Sequence, residues 1–397
     1  MSEVLAPVTA YLDNAASTRP AAEVLALMAE VAGRHFANPS SAHGAGAAAA
    51  RLLDQARRDT ATALRAAPEE IVFTGGGTEA NALALIGAAA RARGRHLVVT
   101  AIEHASVLRT AERLAAQAAA DKSAFELTVV PVGAGGVVSA ADVAAAVRPD
   151  TAVVAVMLVN NELGTVQPVA EIAQAIARLA ATPARRPHLH VDAVQAFGFV
   201  PFRPSGLGAD SVAISGHKLH GPKGTGALWL RPGARVAGLW DGGGQERGLR
   251  SGTENLPGIA GLARAATLAA QSSTAGVPDR VRALRETFEA QARALVPGLQ
   301  PTVSGATLAP HISSLRMPGL PAEPLLHALD ARGVTASAGS ACASKSQGPS
   351  HVLKAIGVSD DDAVLRFSLS RETTAAELEH AATALAQAVA EIKGVAR

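Results

Sequence analysis

The chain has 397 residues, with 36 basic against 34 acidic side chains and a formal net charge of +2. That balance gives no reason to propose nucleic acid or an acidic membrane surface as a partner. The strongest apolar run, 152–159, is far too short to span a bilayer, and the length exceeds one typical core, so two or more domains are expected.

The opening stretch, MSEVLAPVTAYLDNAAST, lacks a basic segment followed by an apolar core and does not read as a secretory leader. Short β-rich runs then alternate with helical stretches. IVFT (71–74) precedes GTEANALALIGAAARARG, and HLVVTAI (96–102) precedes a helix from about Ala105. FELTVVPV (125–132) leads to SAADVAAAV, and TAVVAVMLV (151–159) leads to NNELG and a helix near Val169. HLHVDAV (188–194), DSVAIS (210–215) and GALWLR (226–231) follow. Continuous apolar runs suit strands buried on both faces, and the alternation predicts an α/β fold with a mostly parallel sheet between helix layers. From about Leu256 the texture changes to two long helices (256–273 and 277–296), shorter mixed elements and a final helix (374–392), which predicts a smaller α+β domain. The glycine-rich stretch 238–258 reads as a long functional loop.

Aromatic residues are only 3% of the chain, and Cys342 is its one cysteine. A lone cysteine closes no intrachain disulfide, which fits a reducing compartment and a cytoplasmic location. Free cysteine is more often a buried filler than a reactive group. The surrounding VTASAGSACASKSQG (334–348) is rich in glycine and serine, however, and reads as a loop.

Three stretches carry candidate chemistry. FTGGGTEAN (73–81) joins a strand end, a glycine run and a helix start, which is either a flexible turn or a phosphate cradle. It is neither a Walker A loop nor a dinucleotide fingerprint. HLHVDAVQ (188–195) puts His188, His190 and Asp192 on one strand face. That suits a metal, an ordinary buried strand, or an acid at a strand end facing a ligand such as a protonated pyridine nitrogen. In AISGHKLHGPKG (213–224), Lys218 follows an apolar strand. Lysine is usually a solvated charge, but desolvation there would make it a nucleophile able to form a Schiff base. A phosphate cradle, an acid for a ring nitrogen and a Schiff-base lysine are the parts of a pyridoxal 5'-phosphate site.

With these motifs in hand, the chain resembles the cysteine desulfurases of the NifS/IscS type, in the class V aminotransferase family of fold-type-I pyridoxal-phosphate enzymes. The resemblance follows YLDNAAST, NPSSAHG, VFTGGGTEAN, IEHASV, VNNELGTVQP, HVDAVQ, SGHKLHGPKGTGAL, GGGQERGLRSGTEN, SAGSACAS and LRFSLSR in order along nearly the whole chain. It implies a large cofactor-binding domain (16–262) with a seven-stranded sheet. A small domain (1–15 and 263–397) would carry the catalytic loop at about 337–348.

The roles that the resemblance implies fall on residues of this chain. Lys218 would hold the cofactor as a Schiff base, and His104 would stack on its ring and help move protons. Asp192 would pair with the ring nitrogen, Gln195 with the phenolic oxygen, and Asn161 would add a further contact. Gly77, Thr78, Ser215 and His217 would bind the phosphate, joined by Thr253 from a second subunit, which implies a homodimer. Arg366 would bind the substrate carboxylate through its fork, with Asn161 and Asn14 nearby. Cys342 would be the nucleophile. The implied reaction takes sulfur from L-cysteine, giving L-alanine and a Cys342 persulfide that passes to an acceptor for iron–sulfur cluster assembly or other thio-cofactor synthesis. No metal is implied beyond a transient contact of Cys342 with an iron–sulfur cluster. Alternatives on the same fold are a selenocysteine lyase, a class V aminotransferase that would not need Cys342, and an inactive scaffold. The chain ends soon after its last helix, without the longer tail of housekeeping relatives, which bears on the acceptor rather than the chemistry.

Overall fold

The computed structural model describes residues 10–116, 125–179, 186–339 and 350–395. A short strand, β1 (Ala10–Tyr11), and two helices, α1 (Ala22–Arg34) and α2 (Gly44–Leu64), come first. Strand and helix then alternate as β2 (Ile71–Thr74), α3 (Gly77–Arg91), β3 (His96–Thr100) and α4 (Ala105–Ala116). The pattern continues with β4 (Glu126–Val130), α5 (Ala140–Ala146), β5 (Thr151–Met157), α6 (Val169–Leu179) and β6 (His188–Asp192). β7 (Ser211–Ser215), β8 (Gly226–Leu230), α7 (Leu256–Thr274) and α8 (Val277–Leu295) follow. The remainder holds β9 (Gln300–Pro301), β10 (Ile312–Met317), α9 (Ala322–Asp330), β11 (Val334–Thr335), α10 (His351–Ala355), β12 (Ala363–Ser368) and α11 (Ala375–Val395).

A seven-stranded sheet has the order β2-β8-β7-β6-β5-β3-β4. Only the pairings of β8 are antiparallel; the other neighbours run parallel. The β-branched run of β5 is buried at every position, as a central strand between two helix layers must be. On one face, Val24, Leu53 and Ile259 of α1, α2 and α7 pack with Val154 and Val191 of the sheet. On the other, Leu83 and Leu85 of α3 and Val107 of α4 pack with Leu97 and Leu228. The apolar run of α7 packs on the first of these cores as far as Ala269. A separate core joins Phe288 of α8, Leu325 of α9 and Leu385 of α11 to Leu365 and Phe367 of β12. There Phe288 and Phe367 meet edge to face at 5.0 Å.

Because the parallel strands share a direction, the chain leaves β2, β3, β5, β6 and β7 at one edge of the sheet. That edge is where α/β proteins gather their ligand-binding residues. Two devices fix the chain there. In the glycine-rich stretch, Glu246 and Arg247 both adopt left-handed backbone (φ 47° and 60°), which costs about 1–2 kcal/mol per residue. Their side chains offset this by reaching β2. The buried Glu246 carboxylate accepts from Arg57 at 2.6 and 2.8 Å and from the Phe73 N–H at 2.8 Å, while Arg247 donates to the Ile71 carbonyl at 2.8 Å. The stretch expected to be a long loop is therefore anchored at its middle.

The second device is Glu103, just beyond β3. Its Oε1 accepts from Thr100 Oγ1 at 2.6 Å and from the Met157 N–H at 2.9 Å, tying β3 to β5. Its Oε2 is buried without a partner. Burial pushes this carboxyl up to about 8, against the downward pull of those hydrogen bonds. The folded value lies above the ordinary 4.5, so the unfolded chain loses this proton first and stability falls as pH rises toward 8.

Two outcomes follow. Glu246→Ala strands the Arg57 charge and lowers the unfolding free energy by about 3–5 kcal/mol, read from urea titrations. Glu103→Gln keeps the neutral shape, so between about pH 5 and about pH 8 it loses less stability than the native chain. An equal loss in both proteins would show that Glu103 is ionised in the fold.

Candidate active site

Asp192 ends β6 in register with Met157 of β5 and Ala213 of β7, and is 6% exposed. Its Oδ1 accepts from the Val194 N–H at 2.9 Å and its Oδ2 from Asn81 Nδ2 at 2.7 Å. The two histidines that precede it on the strand are engaged elsewhere. His188 Nε2 meets Ser211 Oγ at 2.7 Å, and His190 meets Ser211 Oγ at 2.9 Å and Asn81 Oδ1 at 2.9 Å. Burial pushes His188 down to about 4 and His190 down to about 3, so both rings are neutral. Among the described residues, no group of three or more His, Cys, Asp or Glu side chains could hold a metal ion.

Lys218 sits on the 3₁₀ turn Gly216–Lys218 that follows β7. Its Nζ donates to the carbonyls of Ala15 at 2.6 Å and Ala16 at 2.7 Å. Gln195 Nε2 donates to the same Ala15 carbonyl at 2.8 Å, so Lys218 and Gln195 converge on one atom. Next to Lys218, His217 is pushed down to about 4 by burial and by the charges of Lys218 and Lys223. Its carbonyl accepts from the Thr18 N–H at 2.9 Å and from Thr18 Oγ1 at 3.0 Å.

The glycine run after β2 shapes the adjoining corner. Helix α3 begins at Gly77 after Gly76, and no side chain caps it. A Cβ on Gly77 would lie 2.7 Å from Val194 Cγ2 and 3.3 Å from Ser215 Cβ, so the residue has no room for a side chain. Ser215 Oγ is buried there without a hydrogen-bond partner. An unpaired buried hydroxyl beside an uncapped helix start has the chemistry of an anion cradle. Thr78 stands exposed on the same turn. Thr253 is exposed on the glycine-rich stretch, close in sequence to Arg250, whose Nε donates to Glu79 Oε1 at 3.0 Å in the first turn of α3.

His104 follows β3. Its Nδ1 accepts from the Ser106 N–H at 3.1 Å and meets Ser106 Oγ at 2.7 Å. Burial lowers the pKa of His104, opposed by the Asp192 charge. Asn161 is half-buried after β5, and its backbone carbonyl accepts from Arg366 Nη1 at 2.8 Å. The neighbouring Asn160 spends its amide oxygen on its own turn, accepting from the N–H groups of Glu162 and Leu163, while its Nδ2 donates to the Ile102 carbonyl at 3.0 Å.

Arg366, on β12, is only 1% exposed. Besides the Asn161 carbonyl it donates from Nη2 to Asp13 Oδ1 at 2.8 Å, while its Nε is buried without a partner. That leaves an unfilled donor on a fork suited to a carboxylate. Asn14 donates both amide protons to backbone, to the carbonyls of Tyr11 at 3.1 Å and Ser368 at 2.8 Å, and so fastens the 13–16 segment to β12.

Cys342 lies outside the described residues, as does most of the loop expected at 337–348. The described residues on either side of it meet at Glu162. Ser350 Oγ donates to Glu162 Oε2 at 2.6 Å, and a Cβ on Gly339 would lie 3.1 Å from that oxygen. Burial raises the Glu162 pKa, with Ser350, His351 and Arg366 opposing. Ser337, just before, exchanges backbone hydrogen bonds with Arg366 at 2.7 and 3.1 Å.

Sequence reasoning did not single out Asp13, Asn81, Ser106 or Glu162. Asp13 and Glu162 adjoin chosen asparagines, and Asn81 closes the GGGTEAN motif, yet only the fold brings their partners to them.

A family model described as aminotransferase class-V matches residues 10–380. The chain is similar to a putative cysteine desulfurase IscS 1 of Bacillus subtilis, with 38% identity covering 96% of this chain and 98% of the relative. It is similar to a cysteine desulfurase of Cereibacter sphaeroides, with 42% identity over 93% of this chain and 92% of the relative. Among solved structures, a NifS-like protein superposes with a TM-score of 0.87 at 32% identity over 96% of this chain and 99% of that one. SspA in complex with cysteine gives a TM-score of 0.77 at 33% identity over 92% of this chain and 100% of that one. The chain belongs to the class V aminotransferase family, among its NifS/IscS-type cysteine desulfurases.

Proposed function

We propose that the chain removes sulfur from L-cysteine with pyridoxal 5'-phosphate as cofactor, and that Cys342 receives the sulfur. The observation that carries this reading is one segment, Asp13–Ala16, hydrogen-bonded to Arg366 at one end and to Lys218 at the other. A carboxylate receptor and an amine are thus held at the two ends of one short piece of chain, as an amino-acid substrate requires.

The residues present fit the cofactor. The unpaired Ser215 hydroxyl, the first turn of α3 at Gly77 and Thr78, and neutral His217 would hold its phosphate. Thr253 of the partner subunit would complete that set in a homodimer. Asp192 would keep a proton at the ring nitrogen, Gln195 would donate to the phenolic oxygen, Asn161 would add a polar contact, and the His104 ring would lie against the cofactor. When bound, the cofactor supplies a carbonyl carbon for amines and an electron sink.

The chain's own groups then divide the work. Arg366 binds the substrate carboxylate, using the unpaired Nε edge of its fork, and Asn14 holds the strand beside it. Lys218 moves the proton at the substrate Cα. The Cys342 thiolate attacks the substrate sulfur, so the S–S bond forms as the C–S bond breaks. The electron pair left on carbon takes up a proton, giving L-alanine and a persulfide on Cys342. That sulfur can pass to a thiol of an acceptor protein. The relatives named IscS support an iron–sulfur scaffold as one such acceptor. Chemistry that depends on free thiols suits the cytoplasm. In this reading the cofactor-bearing unit includes α7 beyond residue 262, because Ala263, Ala265, Ala266 and Ala269 pack on the first core.

Three variants test the proposal. Cys342→Ala keeps the absorption band of the bound cofactor but releases no alanine from L-cysteine above background. Lys218→Ala loses the band that depends on covalent attachment. Arg366→Lys raises KM for L-cysteine at least about tenfold with the band unchanged, because a point charge cannot replace the fork. A Cys342→Ala protein that makes alanine at the native rate would remove the persulfide from the account.

A further inference from the structure

A chain of side chains runs beneath the site, and its hydrogen-bond directions can be solved. The Ser106 N–H can only donate, so His104 Nδ1 accepts and the ring proton is on Nε2. Asp192 accepts, so Asn81 presents Nδ2 to it at 2.7 Å. The second Nδ2 proton goes to Ser106 Oγ at 2.8 Å, which frees the Ser106 hydroxyl proton for His104 Nδ1 at 2.7 Å. Asn81 Oδ1 then faces His190 Nε2 at 2.9 Å, so that nitrogen carries the proton. His190 Nδ1 is left to accept from the Ser211 hydroxyl at 2.9 Å, and Ser211 Oγ accepts from His188 Nε2 at 2.7 Å. Asn81, His190 and Ser211 are each at most 1% exposed, and no link in the chain sets donor against donor or acceptor against acceptor.

We propose that Asn81 is a positioning residue whose single amide fixes both Asp192 and the Ser106–His104 pair, and that His190, held by Ser211 and His188, locks the direction of that amide. Reversing the Asn81 amide would put its oxygen against the Asp192 carboxylate and would require His190, Ser211 and His188 to reverse their hydrogen bonds with it. The lock therefore keeps a donor on Asp192 and an acceptor-bound Nδ1 on His104. His104 is held with a proton on Nε2, because a proton on Nδ1 would face the Ser106 N–H. Among the described residues, the charged and titratable groups that act on Asp192 and His104 are Glu103, His217, Lys218 and His351. None of them makes the Asn81 contacts.

This inference rests on the proposal that Asp192 serves the cofactor ring nitrogen, and the test separates the two. The native protein and three His190 variants are loaded with cofactor carrying ¹⁵N in the ring, and the resonance reports protonation of that nitrogen. His190→Gln places an amide donor where Nε2 was and keeps the native resonance. His190→Asn places its donor at the Nδ1 position, and His190→Ala has none. Both raise the unprotonated-to-protonated ratio about tenfold, the change expected for one pKa unit. Thermal melts of the cofactor-free variants confirm folding. In cofactor-free native protein, ¹⁵N-histidine spectra show His104 and His190 with protonated Nε2.

A native resonance already at the unprotonated position would sink the Asp192 reading. A protonated native resonance with His190→Ala unchanged, or with Gln and Asn equivalent, would sink the Asn81 lock. If His190→Ala fails to fold, the Gln–Asn comparison and the histidine tautomers decide.

Discussion

The site depends on how residues 13–18 are pinned. On one side Asp13 pairs with Arg366, and Asn14 and the Ala15 N–H bond to Ser368 of β12. On the other side the carbonyls of Ala15 and Ala16 take the Lys218 amine, and Thr18 bonds to His217 and to the His220 N–H. The segment crosses from the core around β12 to the edge of the seven-stranded sheet, so in the proposed reading it would set the spacing between the two groups that an amino-acid substrate meets. That spacing is made by buried hydrogen bonds, which cost most when one partner is removed.

Within this frame the electrostatics divide cleanly. In the proposed reading, two of the buried side chains with an orphaned atom would face a ligand: Ser215 Oγ in the anion corner and Arg366 Nε at the carboxylate fork. Buried groups with complete hydrogen bonding hold the others in place, as Asn81 and His190 do around Asp192. Glu103 is intermediate. One oxygen joins β3 to β5 and the other is unpaired, and burial keeps the carboxyl neutral rather than charged.

Much of this was legible in the sequence, for physical reasons. Runs such as TAVVAVM can be buried on two faces only as central strands, and alternation with alanine-rich helices then leaves few topologies. Several of the chosen residues, His104, Asp192, Ser215, His217 and Lys218 among them, fall at or just after strand ends, because motif order already placed them after apolar runs. What could not be read were contacts between residues far apart in the chain. Nothing local distinguishes Asn160, which builds its turn, from Asn161, whose carbonyl meets Arg366. Asn81 looks like an ordinary helical polar residue until β6 brings Asp192 and His190 against it. The stretch 238–258 reads as loop by composition, yet Glu246 fixes it to α2 through a charge pair with Arg57 and to β2 through the Phe73 N–H, both more than a hundred positions away.

The central claim is that sulfur leaves L-cysteine by way of one thiol. Its most direct measurement is the mass of the Cys342 peptide after the cofactor-loaded protein meets L-cysteine and is quenched without reductant. The account predicts a gain of one sulfur atom on Cys342, reversed by dithiothreitol, with one alanine per modified site. An unmodified Cys342 in protein that has bound its cofactor and released alanine would contradict it.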